Sequence, residues 1–161
     1  NCVALSPDGK SLLIGCQDGS VELRGAGIQA GGARPFGAHA AAVTGVAFSP
    51  DGKFAATAGA DTAARIWDVA TGKEVCKLMS FRNDSWAILT ADNFYAAARG
   101  ALPSLAFRFR DRAFTFEQFD LRFHRPDKVL ECFKFAQTEL AAAYREAFQQ
   151  RLKRMNYTEA M

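Results

Sequence analysis

Histidine is scarce in this chain: two residues in 161. The four cysteines, Cys2, Cys16, Cys76 and Cys132, form no C-x-x-C pair and lie far apart in apolar surroundings. Structural zinc needs four closely spaced Cys or His ligands, so neither a metal site nor a cofactor is expected. Thiols so dispersed read as buried free cysteines of a reducing, cytoplasmic compartment. No apolar run approaches the roughly 18 residues that would suggest a transmembrane helix. The opening Asn1-Cys2-Val3-Ala4-Leu5 places no basic segment before a hydrophobic stretch, and no signal peptide is visible. It also lacks an initiator Met and enters directly into strand-like sequence, so the chain is expected to be an internal piece of a longer polypeptide. Neither sign of charge dominates: 20 basic against 17 acidic side chains leave +3, too little to imply a polyanionic partner. The basic excess is local, with six arginines and three acids in residues 99–125.

What the sequence does contain is a repeat. Val3-Ala4-Leu5-Ser6-Pro7-Asp8-Gly9-Lys10 returns as Val46-Ala47-Phe48-Ser49-Pro50-Asp51-Gly52-Lys53, identical at seven of eight positions and offset by 43. The same offset carries Asp18 onto Asp61 and Arg24 onto Trp67. A period of about 40–45 residues is that of a propeller blade. Within the second copy, Ser49-Pro50-Asp51-Gly52 reads as a tight turn: Pro fixes φ, Asp accepts from nearby amides, and Gly tolerates positive φ. Phe54 to Ala58, Ala63 to Trp67 and Glu74 to Leu78 supply three further short strands separated by turn residues. Together with the strand at Val46 they make a four-stranded antiparallel blade.

The run Ala38-His39, Val46 to Lys53, Asp61 and Arg65-Ile66-Trp67-Asp68 resembles a nearly complete unit of the WD-repeat family, with Ala-His in place of the family's Gly-His. The resemblance implies that His39, Thr57, Asp61 and Trp67 form a structural hydrogen-bonded tetrad. Thr57 is taken because it is the only hydroxyl on its strand. The first copy is degenerate, with Arg24-Gly25 where Trp-Asp is expected, and should be held less tightly.

Trp86 to Asn93 imitates the opening of the repeat and then departs from it. Leu105 to Arg110, a turn at Asp111-Arg112, and Ala113 to Phe116 read as a hairpin with Phe107 and Phe109 on one side and Arg108 and Arg110 on the other. Glu117 to Asp120 and Phe123 to Val129 resemble a propeller-closing segment of bacterial multidomain WD-repeat proteins, some of which carry a caspase-like peptidase domain. Pro126 suits the first turn of a helix whose Val129, Leu130 and Phe133 share a face. A second helix follows Thr138 as N-cap, with Leu140, Tyr144, Ala147, Phe148, Leu152 and Met155 as an apolar stripe.

Three patterns invite chemistry. Gly25-Ala26-Gly27-Ile28-Gln29-Ala30 has the spacing of a dinucleotide fingerprint, but Gly31 to Pro35 would break the helix that such a motif must open, so a blade turn is expected. Cys132, His124 and Asp127 offer a nucleophile, base and orienter, but crowd one helix entry without a caspase signature around the thiol. Arg99, Arg108, Arg110, Arg112, Arg122 and Arg125, interleaved with six phenylalanines, could bind nucleic acid through phosphates and stacking, or form the solvated face of half-buried strands.

The sequence therefore predicts an all-β partial WD-repeat propeller with a C-terminal helical extension. Residues 1–80 hold two repeats, 81–125 a degenerate blade or closing segment, and 126–161 a helical extension or linker. The expected function is a non-catalytic scaffold for protein partners or adjoining blades, within a larger, bacterial protein. No nucleic acid, membrane or small-molecule substrate is expected. Regulation of an attached caspase-like peptidase, and nucleic-acid binding through 99–125, are the alternatives.

Overall fold

The computed structural model describes residues 2–26, 32–82, 84–133 and 138–157, with all their side chains except those of Phe109, Phe116 and Glu117. The chain forms two compact units, Asn1–Ser80 and Phe81–Met161.

The first unit holds eight strands in two antiparallel sets of four. One is β1 (Cys2–Leu5), β2 (Ser11–Gly15), β3 (Ser20–Gly25) and β4 (Arg34–Ala38), hydrogen-bonded in that order. The other is β5 (Val43–Phe48), β6 (Phe54–Gly59), β7 (Ala63–Asp68) and β8 (Glu74–Ser80), also paired in sequence order. Gly25, first residue of the glycine-rich motif, ends β3; Gly27 to Ala30 lie outside the described residues.

The repeated octapeptide builds the same turn twice. Ser6 Oγ donates to Asp8 Oδ1 at 2.6 Å and accepts from the Ser11 amide at 2.9 Å; Ser49 donates to Asp51 at 2.6 Å and accepts from the Phe54 amide at 2.9 Å. Each Asp accepts a second bond from the lysine amide two residues on. Gly9 and Gly52 take φ of +70° and +69°, a left-handed conformation that costs glycine least.

The core of this unit lies between its two sheets. Leu13, Val21, Leu23 and Phe36 of the first join Val43, Ala55 and Trp67 of the second in one buried cluster, with Cys2, Val46, Phe48 and Val69 packed around it. Trp67 meets Phe36 with ring centroids 5.9 Å apart. A side chain at Gly37 would stand 2.6 Å from the indole, so the large ring fits because its neighbour has none.

The second unit opens with the hairpin β9 (Trp86–Thr90) and β10 (Tyr95–Ala97). Its turn uses the same closure, one residue shorter: Thr90 Oγ1 accepts from the Phe94 amide at 3.1 Å, and Asn93 takes φ of +66° where the earlier turns use glycine. A 3-10 segment (Arg99–Ser104) leads to a second hairpin, β11 (Ala106–Phe109) and β12 (Arg112–Thr115). This hairpin turns one residue earlier than the alternation suggests. Phe109 pairs with Arg112, so Arg110 lies in the turn with φ of +54°, outside the strand that was expected to hold it. A 3-10 turn (Phe116–Phe119), α1 (Asp120–Phe123), α2 (Pro126–Cys132) and α3 (Thr138–Arg154) complete the unit.

Pro126 occupies the first turn of α2 as expected, and Val129 is buried. The stripe expected on α3 is displaced by about one residue. Ala141 and Leu152 are buried and Phe148 half-buried, while Leu140, Tyr144 and Met155 are 44%, 43% and 48% exposed. The buried residues recur at helical steps with Arg145, which pairs with Glu131 of α2. The face that α3 turns inward thus keeps Phe148 and Leu152 of the expected stripe and has Ala141 where Leu140 was expected.

Candidate functional site

Four side chains from four places in the first unit, β6, β7, the turn between them and the residue after β4, meet in one polar chain. Trp67, on β7, donates its indole N–H to Thr57 Oγ1 on β6 at 2.9 Å. Thr57 Oγ1 lies 2.7 Å from His39 Nε2, and His39 Nδ1 lies 2.9 Å from Asp61 Oδ1 in the β6–β7 turn. Trp67, Thr57 and His39 are buried, and the Asp61 side chain is only 10% exposed. An indole can only donate and a carboxylate only accept. The two ends of the relay therefore have a fixed direction: the Trp67 indole donates to Thr57, and His39 Nδ1–H donates to Asp61.

The surroundings complete it. Asp61 also accepts from the Ala40 amide at 3.1 Å and the Ala63 amide at 3.3 Å. Burial alone would push its carboxyl upward; the bond and charge of His39, with these backbone donors, hold it lower, at about 2. Arg65 stands 3.5 Å from Asp61 and 2.7 Å from Glu74, tying the relay to β8. Gly59 closes the site from the last position of β6, because a Cβ there would collide with the His39 ring and the Asp61 carboxylate. Arg65, Glu74 and Gly59 escaped the sequence reading. Only the unbroken glycine at the end of a small-residue strand hinted at close approach.

The first sheet has the same turns but not the relay. Ile14 and Arg24 stand at the positions of Thr57 and Trp67, and Arg24 is an exposed partner of Glu22 at 3.2 Å. Asp18, equivalent to Asp61, serves only its own turn, accepting from the Ser20 amide and hydroxyl at 2.9 and 2.6 Å.

The second unit carries a separate polar cluster. Tyr95, fully buried, donates its hydroxyl to Asp120 at 2.7 Å, and Arg151 donates to the other oxygen of Asp120 at 2.7 Å. His124 lies 3.4 Å from Asp120, with its ring 5.1 Å from that of Tyr95. Burial and Arg151 push the His124 imidazole down, against the pull of Asp120. Arg125 grips buried Asp127 with two bonds of 2.9 and 2.8 Å and lies over the Phe148 ring at 4.0 Å.

The base and orienter considered for Cys132 are therefore committed elsewhere. Asp127 belongs to Arg125 and His124 to Asp120, and among the described residues no hydrogen bond joins Cys132 to either. Burial, with Asp92 and Glu131 nearby, pushes the Cys132 thiol up, opposite to the shift that activates a nucleophile. Among the described residues no group of three or more His, Cys, Asp or Glu side chains is placed to hold a metal ion. No helix among them is long and apolar enough to cross a membrane.

Two repeated, four-stranded antiparallel sheets that share a core face to face are consecutive blades of a partial β-propeller. Residues 1–23 and 33–68 match the family model of the WD domain, G-beta repeat. The chain is similar to the COMPASS component SWD1 of Saccharomyces cerevisiae, 28% identical over 92 residues, 53% of this chain and 21% of the relative. It is also similar to the Serine-threonine kinase receptor-associated protein of Homo sapiens, 34% identical over 94 residues, 53% of this chain and 27% of the relative. The aligned part thus spans about a quarter of the length of these relatives.

Proposed function

We propose that this chain contributes blades to a non-catalytic β-propeller scaffold that assembles protein partners. One observation carries the reading. Val46 and Phe48 of the second blade pack on the inter-blade core, whereas their repeat equivalents Val3 and Leu5 in the first are 64% and 57% exposed. The first blade thus presents the apolar face that the second uses to dock on its neighbour. The relatives support the same reading, one being by name a COMPASS component and the other a kinase receptor-associated protein.

In this reading the His39–Thr57–Asp61–Trp67 relay is structural: it stiffens the second blade so that the surface around it is presented without rearrangement. The blades belong to a larger, cytoplasmic, bacterial multidomain protein. The resemblance of residues 86–161 to a closing segment supports that setting, in which a caspase-like peptidase domain elsewhere in the polypeptide would supply any catalysis.

The test is in-cell cross-linking of the parent protein with the linked residues mapped. Cross-links to other polypeptides concentrated on residues 1–80 are expected, together with no peptidase or hydrolase turnover by this chain. Turnover that disappears in Cys132→Ser would overturn the reading, as would the absence of any cross-linked partner.

A further inference from the structure

The second unit contains a cavity of about 470 Å³, lined by Phe107, Phe114, Phe119 and Phe123 with Asn93, Arg108 and Arg122. Its size falls within the range of about 300–1,000 Å³ typical of ligand sites. The sequence scatters these phenylalanines over β11, β12, a 3-10 turn and α1, and the fold gathers them. Phe107 meets Phe119 at 5.5 Å and 85°, Phe114 meets Phe119 at 5.9 Å and 81°, and Phe107 meets Phe123 at 5.3 Å. All four remain half-buried, so this aromatic wall still faces water.

The charged residues that line this cavity, Arg108 and Arg122, are of one sign. Arg108 and Arg122 are exposed, and among the described residues neither has a carboxylate partner. Arg108 donates Nε to the Arg110 carbonyl at 3.2 Å, and Arg122 lies over the Phe123 ring at 5.5 Å. Asp120, two residues from Arg122, is already engaged by Tyr95 and Arg151, and Asp111, three residues from Arg108, is exposed in the hairpin turn and does not line the cavity. Guanidinium groups favour carboxylates, with which they form paired bonds.

We propose that this cavity binds an acidic linear segment of a partner protein, taking an aromatic side chain among the phenylalanines and the adjacent carboxylates on Arg108 and Arg122. The proposal rests on the scaffold reading and assigns it a second contact surface. A nucleic acid suits the site less well. The rings pack edge to face on one another instead of lying open as stacking platforms, and Arg125, part of the same basic run, is buried against Asp127.

Fluorescence anisotropy on the full chain tests this with a labelled ten-residue peptide, a Phe flanked on each side by two Asp in a Gly/Ser background. Replacing the four Asp with Asn, or the Phe with Ala, should each weaken binding at least tenfold, and a ten-nucleotide oligothymidine should bind more weakly than the parent peptide. Arg108→Gln with Arg122→Gln should abolish the preference for Asp over Asn while leaving the circular dichroism and the melt unchanged. Both substitutions are at exposed positions, so the fold should survive them. Equal affinity for the Asp and Asn peptides, equal affinity without the Phe, tighter oligothymidine binding, or no binding at millimolar peptide would each overturn the proposal. Cross-links retained on residues 1–80 in that event would leave the scaffold reading standing, so the two failures are distinguishable.

Discussion

Thr57 Oγ1 accepts from one buried donor and faces a second buried nitrogen, so the loss of a single hydroxyl strands both neighbours. Thr57→Val keeps nearly the same shape, and with each unsatisfied buried group costing about 1–3 kcal/mol, a loss of roughly 2–4 kcal/mol is expected in urea melts. Trp67→Ala removes the indole from the shared core as well and should cost about 3–5 kcal/mol. Arg24→Ala, at the equivalent but exposed position, should stay within about 0.5 kcal/mol of the parent. Equal losses at Trp67 and Arg24 would remove the physical basis for the relay. Asp61 adds a pH signature. Its carboxyl, held at about 2 against an ordinary 3.8, binds its proton more weakly in the folded chain than in the unfolded one. Stability from this group is therefore fully present above about pH 4 and is lost as pH falls through about 2. Asp61→Asn should flatten that part of the stability profile, measured as urea midpoint against pH; an unchanged slope would show that the carboxylate contributes nothing.

At the scale of elements, local chemistry and long-range packing part company. The blade turns were legible because Ser-Pro-Asp-Gly closes on itself within six residues, and the strands of the second blade were legible from the residues between such turns. His39, Thr57, Asp61 and Trp67 could be named together only through the family resemblance, because no local rule links positions 28 residues apart. The second unit was harder. Its first turn replaces Ser with Thr and Gly with Asn, the later hairpin turns at Arg110, and α3 docks through Ala141 and Leu152 while Leu140, Tyr144 and Met155 of the stripe stay exposed. The Tyr95–Asp120–Arg151 cluster left no trace in spacing at all. Its neighbour pair gives a prediction for this level. Arg125 sits at the entry to α2, and removing it leaves Asp127 buried without its partner. Breaking one side of a buried pair typically costs about 3–5 kcal/mol. Arg125→Ala should therefore speed amide exchange across residues 126–132 and 138–154, whereas Arg99→Ala should not. Equal protection in both variants would demote the pair to a surface contact.

For the molecule as a whole, the decisive feature is that the first unit buries one face of each blade and leaves a matching face open. Leu13, Val21, Leu23 and Phe36 are covered by the second blade, while Val3 and Leu5, on the edge strand β1 of the first, face solvent. Propellers contain about 4–8 blades, so two repeats are a segment of such a ring, and an uncovered blade face with an open strand edge invites association. The free chain should therefore self-associate as concentration rises. Val3→Asp with Leu5→Asp places two charges on that face and should shift light-scattering mass toward the monomer. The same change at Val46 and Phe48 should instead unfold the unit, because those side chains lie against the core. This contrast between repeat equivalents is the useful part of the experiment, since a general loss of stability would affect both pairs alike. A chain that stays monomeric at all concentrations before any substitution would mean that the Val3–Leu5 face does not seek another blade, and the scaffold reading would lose the observation that carries it.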